Sequence, residues 1–404
     1  MKQSYIIDGI RTPVGKFTGS LSPIRADDLA TLVISELVKR NQSIPQDDYD
    51  DVILGCANQA GEDNRNVARM ALLMAGLPWS VPGETVNRLC SSGLSAIVQA
   101  HRAIQAGDGE IFIAGGVEHM TRGPWVISKT SKPFGRDAQM YDSSFGWRFI
   151  NQKMKDLYGT DAMGETAENL VDKYGISRED QDCFAWRSQT KASHAQARGR
   201  LAKEIVPIEI PQRRSDPIIF EYDEFIRPET SLEGLAKLEP AFRKTGGSVT
   251  AGNASGLNDG AIATLIASEQ AIERFNLKPL ARVVSSAVVG VEPRIMGIGP
   301  VEASNRALKK AGITMADVDI IEINEAFAAQ VLSCTRAWGL TDEDERINPN
   351  GGAIAIGHPL GMTGARIAYS AALELQERNK KYALVTMCVG VGQGYAAVLE
   401  NPNF

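Results

Sequence analysis

The feature that most restricts the fold is a repeated order of elements. Residues 27–57 read as a helix, then Gln46-Asp47-Asp48-Tyr49-Asp50-Asp51, then the apolar run Val52-Ile53-Leu54. Residues 301–328 read as a helix, then Thr314-Met315-Ala316-Asp317-Val318-Asp319, then Ile320-Ile321-Glu322-Ile323. Residues 90–118 read as a turn, a long helix, a strand and glycines, and 358–394 repeat that order. Shared α/β periodicity could give one such match. Two in the same sequence order are better explained by two related halves.

Short apolar runs at 5–7, 52–54, 111–114, 320–323 and 383–387 are buried-strand candidates. Helical patterns alternate with them. Leu94, Ile97, Val98, His101 and Ile104 keep helical spacing, which predicts an amphipathic helix over 91–106. Strands alternating with helices imply α/β architecture with largely buried sheets. Residues 121–250 differ. They are polar, hold a charged stretch at 212–216 and carry Trp125, Phe134, Phe145, Trp147 and Phe149. This segment reads as an inserted loop domain, a place for ligand contacts, with most of its aromatics forming a small satellite core.

At 404 residues the chain suits two or three domains of roughly 150 residues. Its 43% hydrophobic and 23% charged residues exclude a disordered or fibrous reading. A net charge of −6 gives no electrostatic footprint for nucleic acid, so a polyanionic ligand would need a local basic patch. Cysteines at 56, 90, 183, 334 and 388 are odd in number, far apart and lack a C-x-x-C pair. That argues against a disulfide framework and against structural zinc, and fits reduced thiols in a cytoplasm. The four histidines have no metal-ligand spacing, so no metal is expected. Met1-Lys2-Gln3-Ser4-Tyr5-Ile6-Ile7 lacks a signal-peptide core, no run of 18 apolar residues predicts a membrane span, and Asn401-Pro402-Asn403-Phe404 is not a peroxisomal address.

Four turns carry the chemistry. Cys90 lies in Asn87-Arg88-Leu89-Cys90-Ser91-Ser92-Gly93, between a strand candidate and the amphipathic helix. A helix N-terminus favours the reactive thiolate, and Ser-Ser-Gly leaves room for a ligand. His358 lies in Gly357-His358-Pro359-Leu360-Gly361, after further glycines, and is a natural base for a thiol. Cys388 lies in Cys388-Val389-Gly390-Val391-Gly392-Gln393-Gly394, whose glycines could present backbone N–H groups as an oxyanion hole. The spacing there is not that of a dinucleotide loop, and a strand follows. Asn324 and Glu325 follow a strand. On spacing alone they read as helix caps, although Asn324 could also hold a water or orient His358. Two cysteines and a histidine suit a two-step acyl transfer, in which one thiol carries the acyl group and the other moves a proton.

These residues resemble the thiolase family. The matching stretches are Arg11-Thr12-Pro13-Val14-Gly15, the Cys90 turn, Thr250-Ala251-Gly252-Asn253-Ala254-Ser255-Gly256, Asn324-Glu325-Ala326-Phe327, Gly357-His358-Pro359 and Cys388-Val389-Gly390. They span essentially the whole chain. The resemblance implies two similar βαβαβαββ halves in an αβαβα sandwich with an inserted loop domain. The halves would be 1–120 plus 251–275 and 276–404, with the loop domain at 121–250. It implies a homo-oligomer, dimer or tetramer, that takes CoA and acyl-CoA as substrates and binds no permanent cofactor. Cys90 would take the acyl group, His358 would activate it, and Cys388 would move the α-carbon proton. Asn324 would hold a water that, with His358, stabilises one thioester oxyanion. The N–H groups of Cys90 and Gly390 would form the second hole. Ser255 and Arg227 match CoA-contact positions, and Met163, Met296 and Phe327 match acyl or pantetheine pocket positions.

Two departures bear on specificity. Val391 stands where many thiolases have a glycine and is expected to narrow the pocket. Ala162 stands where short-chain biosynthetic thiolases often have a histidine. Residues 55–64 and 146–151 are most similar to the 3-oxoadipyl-CoA thiolases of bacterial aromatic degradation. Such a substrate ends in a carboxylate, for which Arg148 and Arg65 are the candidate partners. The rival readings are a general acetyl-CoA acetyltransferase and a non-catalytic CoA or lipid binder of the same fold. A ketoacyl synthase would pair one cysteine with two histidines and is disfavoured by Cys388. Arg213-Arg214 is a small basic cluster, read as a solvated loop or a CoA phosphate contact.

Overall fold

The computed structural model describes residues 2–404. A mixed ten-stranded sheet runs through the molecule. Its first half orders Gly83–Val86, Asp51–Gly55, Ile111–His119, Asn258–Ser268 and Ser4–Arg11, with the short Gly15–Lys16 beside Asn258–Ser268. Its second half orders Ala281–Gly290, Gln393–Glu400, Tyr382–Val389 and Ile320–Ile323. The halves meet where Tyr5 pairs with Arg282 and Ile6 with Ala281, so the two sheets are joined edge to edge.

Three apolar cores define five layers. Helix Ala26–Arg40 and helix Val67–Met74 cover the outer face of the first half. Gly299–Ala311 and Ala328–Ala337 cover the outer face of the second. Ser92–Ala106 and Leu360–Glu377 lie between the halves and share one core with both. This is the αβαβα sandwich that the family resemblance implied.

The central helices touch through glycine. A Cβ on Gly93 would stand 2.6 Å from the carbonyl oxygen of Gly361, and one on Gly364 2.4 Å from the amide nitrogen of Leu94. Gly93 therefore serves helix packing, and not the ligand approach read from the sequence. The helix itself starts at Ser92, after a tight 3₁₀ turn at Leu89–Ser91.

Asn258–Ser268 and Ala281–Gly290 are central strands that the apolar runs did not flag. Asn258–Ser268 is buried at every position. Its Asn-Asp-Gly-Ala start reads as a turn, and its β-branched residues, Ile262, Thr264 and Ile266, are interleaved with alanines and do not form an apolar run. Between Ile111–His119 and Asn258–Ser268 the chain forms helices Met163–Tyr174 and Arg178–Ala197 and two small two-stranded sheets. The expected satellite core of aromatics is not there. Trp125, Phe134, Phe145 and Phe149 are exposed, and Trp147 is half-buried. Among the described residues no helix is long and apolar enough to cross a membrane.

Candidate active site

The Cys90 turn is held by its own side chains. Asn87 Oδ1 accepts from Leu89 N at 2.8 Å, and Asn87 Nδ2 donates to Ala57 O at 3.0 Å. Ser92 Oγ accepts from Arg88 N and donates to Leu89 O. Leu89 takes a left-handed φ of 47°, which swings Cys90 off the end of the strand. Cys90 keeps partial exposure, yet protein crowds its thiol. Burial pushes it up to about 11, against the backbone N–H groups of Gly390 and Cys90 that point at the sulfur. The thiolate expected from the helix N-terminus is thus outweighed by desolvation. The resting group is a thiol and needs a base.

His358, the candidate base, is positioned by residues the sequence reading did not single out. His358 follows Gly357, whose φ of 112° brings the backbone against Asn258. Asn258 Oδ1 accepts from His358 N at 2.9 Å while Asn258 Nδ2 donates to Gly15 O. Thr363 Oγ1 donates to Pro359 O at 2.8 Å, so its lone pair is left for His358 Nδ1 at 2.7 Å. The network therefore assigns the ring proton to Nδ1 and leaves Nε2 with its lone pair. Burial, with help from Arg366, pushes the imidazole down to about 3, which keeps it neutral. Thr363 is one helical turn into Leu360–Glu377. A hydroxyl five residues after a histidine was the only available signal.

Asn324 is not a cap. Helix Ala328–Ala337 has no side-chain cap. Instead Asn324 Nδ2 lies 3.3 Å from His358 Nε2, and the backbone N–H donates to Thr386 O. Its Oδ1 is fully buried without a partner, a vacant acceptor beside the imidazole. Glu325 is a brace, accepting from Ser188 Oγ, Asn348 Nδ2 and Ile354 N.

Cys388 lies near the end of Tyr382–Val389, fully buried. Burial holds its thiol well above the usual range, and the neighbouring Cys90 sulfur adds to this. Met296, Phe327 and Cys388 pack in one apolar cluster. Phe327 meets Phe242 edge to face, and Phe242 rests on Gly164, next to the exposed Met163. Ser255 N donates to Ala326 O beside this wall. Arg227 stacks its guanidinium over Phe225, whose ring packs on Gly256. Val391 takes a left-handed φ of 62° and is exposed, so its side chain is turned outward.

Arg148 is half-buried, and Arg65 is exposed. Cys56, Asp63 and Glu118 bring ligand atoms within 4.8 Å of one another, but these atoms are already engaged. Asp63 accepts from Gln59 N, Gly61 N and Cys56 Sγ, and Glu118 accepts from Ala57 N, Asn58 N and Gly361 N. The group ties the Ala57-Asn58 loop to the turn after His358.

The chain is similar to known proteins along its whole length. The model of the thiolase N-terminal domain matches residues 4–270, and that of the thiolase C-terminal domain matches 277–401. A beta-ketoadipyl-CoA thiolase of Acinetobacter baylyi is 55% identical over 99% of this chain and 100% of its own length. A 3-oxoadipyl-CoA/3-oxo-5,6-dehydrosuberyl-CoA thiolase of Escherichia coli is 56% identical over the same shares. An acetyl-CoA acetyltransferase of Chromobacterium violaceum is 46% identical over 98% of this chain and 99% of its own. The crystal structure of the Bacillus anthracis acetyl-CoA acetyltransferase superposes with a TM-score of 0.91 at 42% identity, covering 99% of each chain.

Proposed function

The chain belongs to the thiolase family, and from that premise we propose that it cleaves 3-oxoadipyl-CoA with CoA, giving succinyl-CoA and acetyl-CoA, or runs the reverse condensation. The carrying observation is that the Gly390 N–H points at the Cys90 sulfur while Cys388 adjoins it. That proximity supports reading Cys90 as the nucleophile, Gly390 N–H as an oxyanion donor and Cys388 as the second thiol.

The steps follow from the chemistry of these groups. His358 Nε2 takes the Cys90 proton, and the sulfur attacks the C3 ketone. The N–H groups of Cys90 and Gly390 receive the oxyanion, each donor worth on the order of 3 kcal/mol. Collapse breaks the C2–C3 bond, and its electron pair forms the enolate of acetyl-CoA. Cys388 donates its proton to that carbon. The vacant Oδ1 of Asn324 fits a water that, with His358, steadies the enolate oxygen. The Cys388 thiolate then takes the proton of incoming CoA. The CoA sulfur attacks the acyl-Cys90 thioester, and the expelled Cys90 sulfur recovers its proton from His358. Covalent capture divides one hard step into two.

CoA would enter along Met163, Phe327, Ser255 and Arg227. A homo-oligomer would cover the exposed Trp125, Ile127 and Met140 of the hairpin in the loop region. The acetyl-CoA acetyltransferase of Chromobacterium violaceum supports a second reading, turnover of acetoacetyl-CoA. Thiolysis rates on both substrates, with Cys90→Ala as control, decide between them. Faster acetoacetyl-CoA turnover overturns the 3-oxoadipyl reading.

A further inference from the structure

We propose that Arg148, held by Asn58 and Ser143, recognises the terminal carboxylate of the acyl chain and so selects straight-chain dicarboxylic 3-oxoacyl-CoA substrates. The proposal rests on the thiolysis reading above.

Arg148 is half-buried. Its Nη2 donates to Asn58 Oδ1 at 3.0 Å and its Nη1 to Ser143 O at 3.2 Å. Both acceptors are neutral. Arg122 pairs with Glu62, Arg282 with Glu400 and Arg346 with Asp344, whereas Arg148, like Arg69 and Arg88, is held by neutral oxygens. Among the described residues Arg148 makes no such pair. A guanidinium removed in part from water, oriented by neutral oxygens and left uncompensated, is preset for an anion that arrives with a ligand.

Its position ties it to the reacting groups. Asn58 Nδ2 donates to Ser143 Oγ at 3.3 Å, which fixes the amide so that its oxygen faces Arg148. Asn58 N donates to Glu118, which also accepts from Gly361 N in the turn after His358. The adjoining Ala57 O accepts from Asn87 in the Cys90 turn. The Arg148 anchor is therefore braced against both catalytic turns.

The reach required is short. After cleavage, the succinyl group on Cys90 ends in a carboxylate three carbon–carbon bonds beyond the thioester carbon, about 4 Å away. A cation serving it must sit near the Cys90 turn. Arg65 is exposed, with a left-handed φ of 61°, and has no comparable anchor. Arg69 is spent on Val81 O and Trp79 O, and Arg88 on Gln393 Oε1 and the Tyr395 ring; between the two candidate arginines the assignment falls on Arg148.

The test compares 3-oxoadipyl-CoA with 3-oxohexanoyl-CoA, which replaces the terminal carboxylate by a methyl group at equal chain length. The readout is the ratio of the two kcat/KM values within one preparation, so loss of folded enzyme cancels. Arg148→Gln should lower the ratio at least 100-fold. Arg148→Lys, which keeps the charge but not the planar fork, should fall between. Asn58→Leu should lower the ratio about tenfold by freeing the guanidinium. If the wild-type enzyme itself has a ratio near one, the 3-oxoadipyl reading fails. If the wild type prefers the dicarboxylic substrate and Arg148→Gln keeps that ratio, the substrate reading stands and the role of Arg148 is overturned.

Discussion

His358 Nδ1 lies 2.7 Å from Thr363 Oγ1, whose own proton is committed to Pro359 O. That single commitment fixes which imidazole nitrogen can act as a base. Thr363→Val leaves a buried N–H without an acceptor, a loss of about 1–3 kcal/mol. The ring then gains nothing from holding its proton on Nδ1. We expect kcat to fall about 10- to 100-fold, with KM changed far less, and Thr363→Ser to restore most of the rate. Equal activity in the valine variant would remove Thr363 from the mechanism.

The thiol and the imidazole are both held neutral at rest, Cys90 up at about 11 and His358 down at about 3. The consequence is visible in alkylation of the free enzyme. Iodoacetamide should modify Cys90 at a rate that keeps climbing as pH rises above 9. A preformed thiolate–imidazolium pair would instead give a plateau from about pH 7. Observing that plateau would mean that the N–H groups and the helix terminus overcome desolvation in solution.

Asn324 presents its N–H₂ to His358 Nε2 and leaves Oδ1 vacant. Asn324→Ala should cost on the order of 10²–10³ in kcat, the scale of an oxyanion donor. Asn324→Asp is closer in size but sets an acceptor against the Nε2 lone pair. The carboxylate then favours imidazolium, which cannot take the Cys90 proton. The aspartate variant should be at least as slow as the alanine variant. If Asn324→Ala retains a third or more of wild-type kcat, neither the water nor the orienting role survives.

Cys90, His358 and Cys388 were legible as candidates because each stands in a turn with glycines or other small residues beside it. The repeated order of elements made two related halves legible, while the layered arrangement followed only from the family resemblance. Asn258 and Thr363 were not legible. Their roles are hydrogen bonds to His358 across 100 and five residues, and an Asn opening a strand carries no local mark of a distant partner. Ser92-Gly93 misled for the reverse reason. Small residues report close approach but not what approaches, which here is the other central helix. The aromatics of the loop region were misjudged because ring count gives no information on burial. Asn324 was read as a cap because caps are the common fate of an asparagine after a strand, and only packing against His358 excludes it.

Stability should depend on acid through Glu204. This carboxylate is fully buried, accepting from Arg11 Nε at 2.9 Å and Arg200 Nη1 at 2.6 Å. Arg11 also binds Asp223, and Arg200 binds Glu374, so the charges alternate along a chain between the loop region and the sheet. Burial pushes the Glu204 carboxyl up, but Arg200 and Arg11 outweigh it and hold it at about 2, against 4.5 when unfolded. A folded value below the unfolded one contributes stability that is fully present above pH 4.5 and is lost as pH falls through about 2. Glu204→Gln leaves two buried guanidinium groups short of an anion, which should cost about 3–5 kcal/mol at pH 7. Urea unfolding at stepped pH gives the check. The gap between wild type and variant should be constant from pH 7 to 5 and close as the wild type is acidified further. A gap that stays open near pH 2, or that is absent at pH 7, would mean that packing and not the ion network holds this junction.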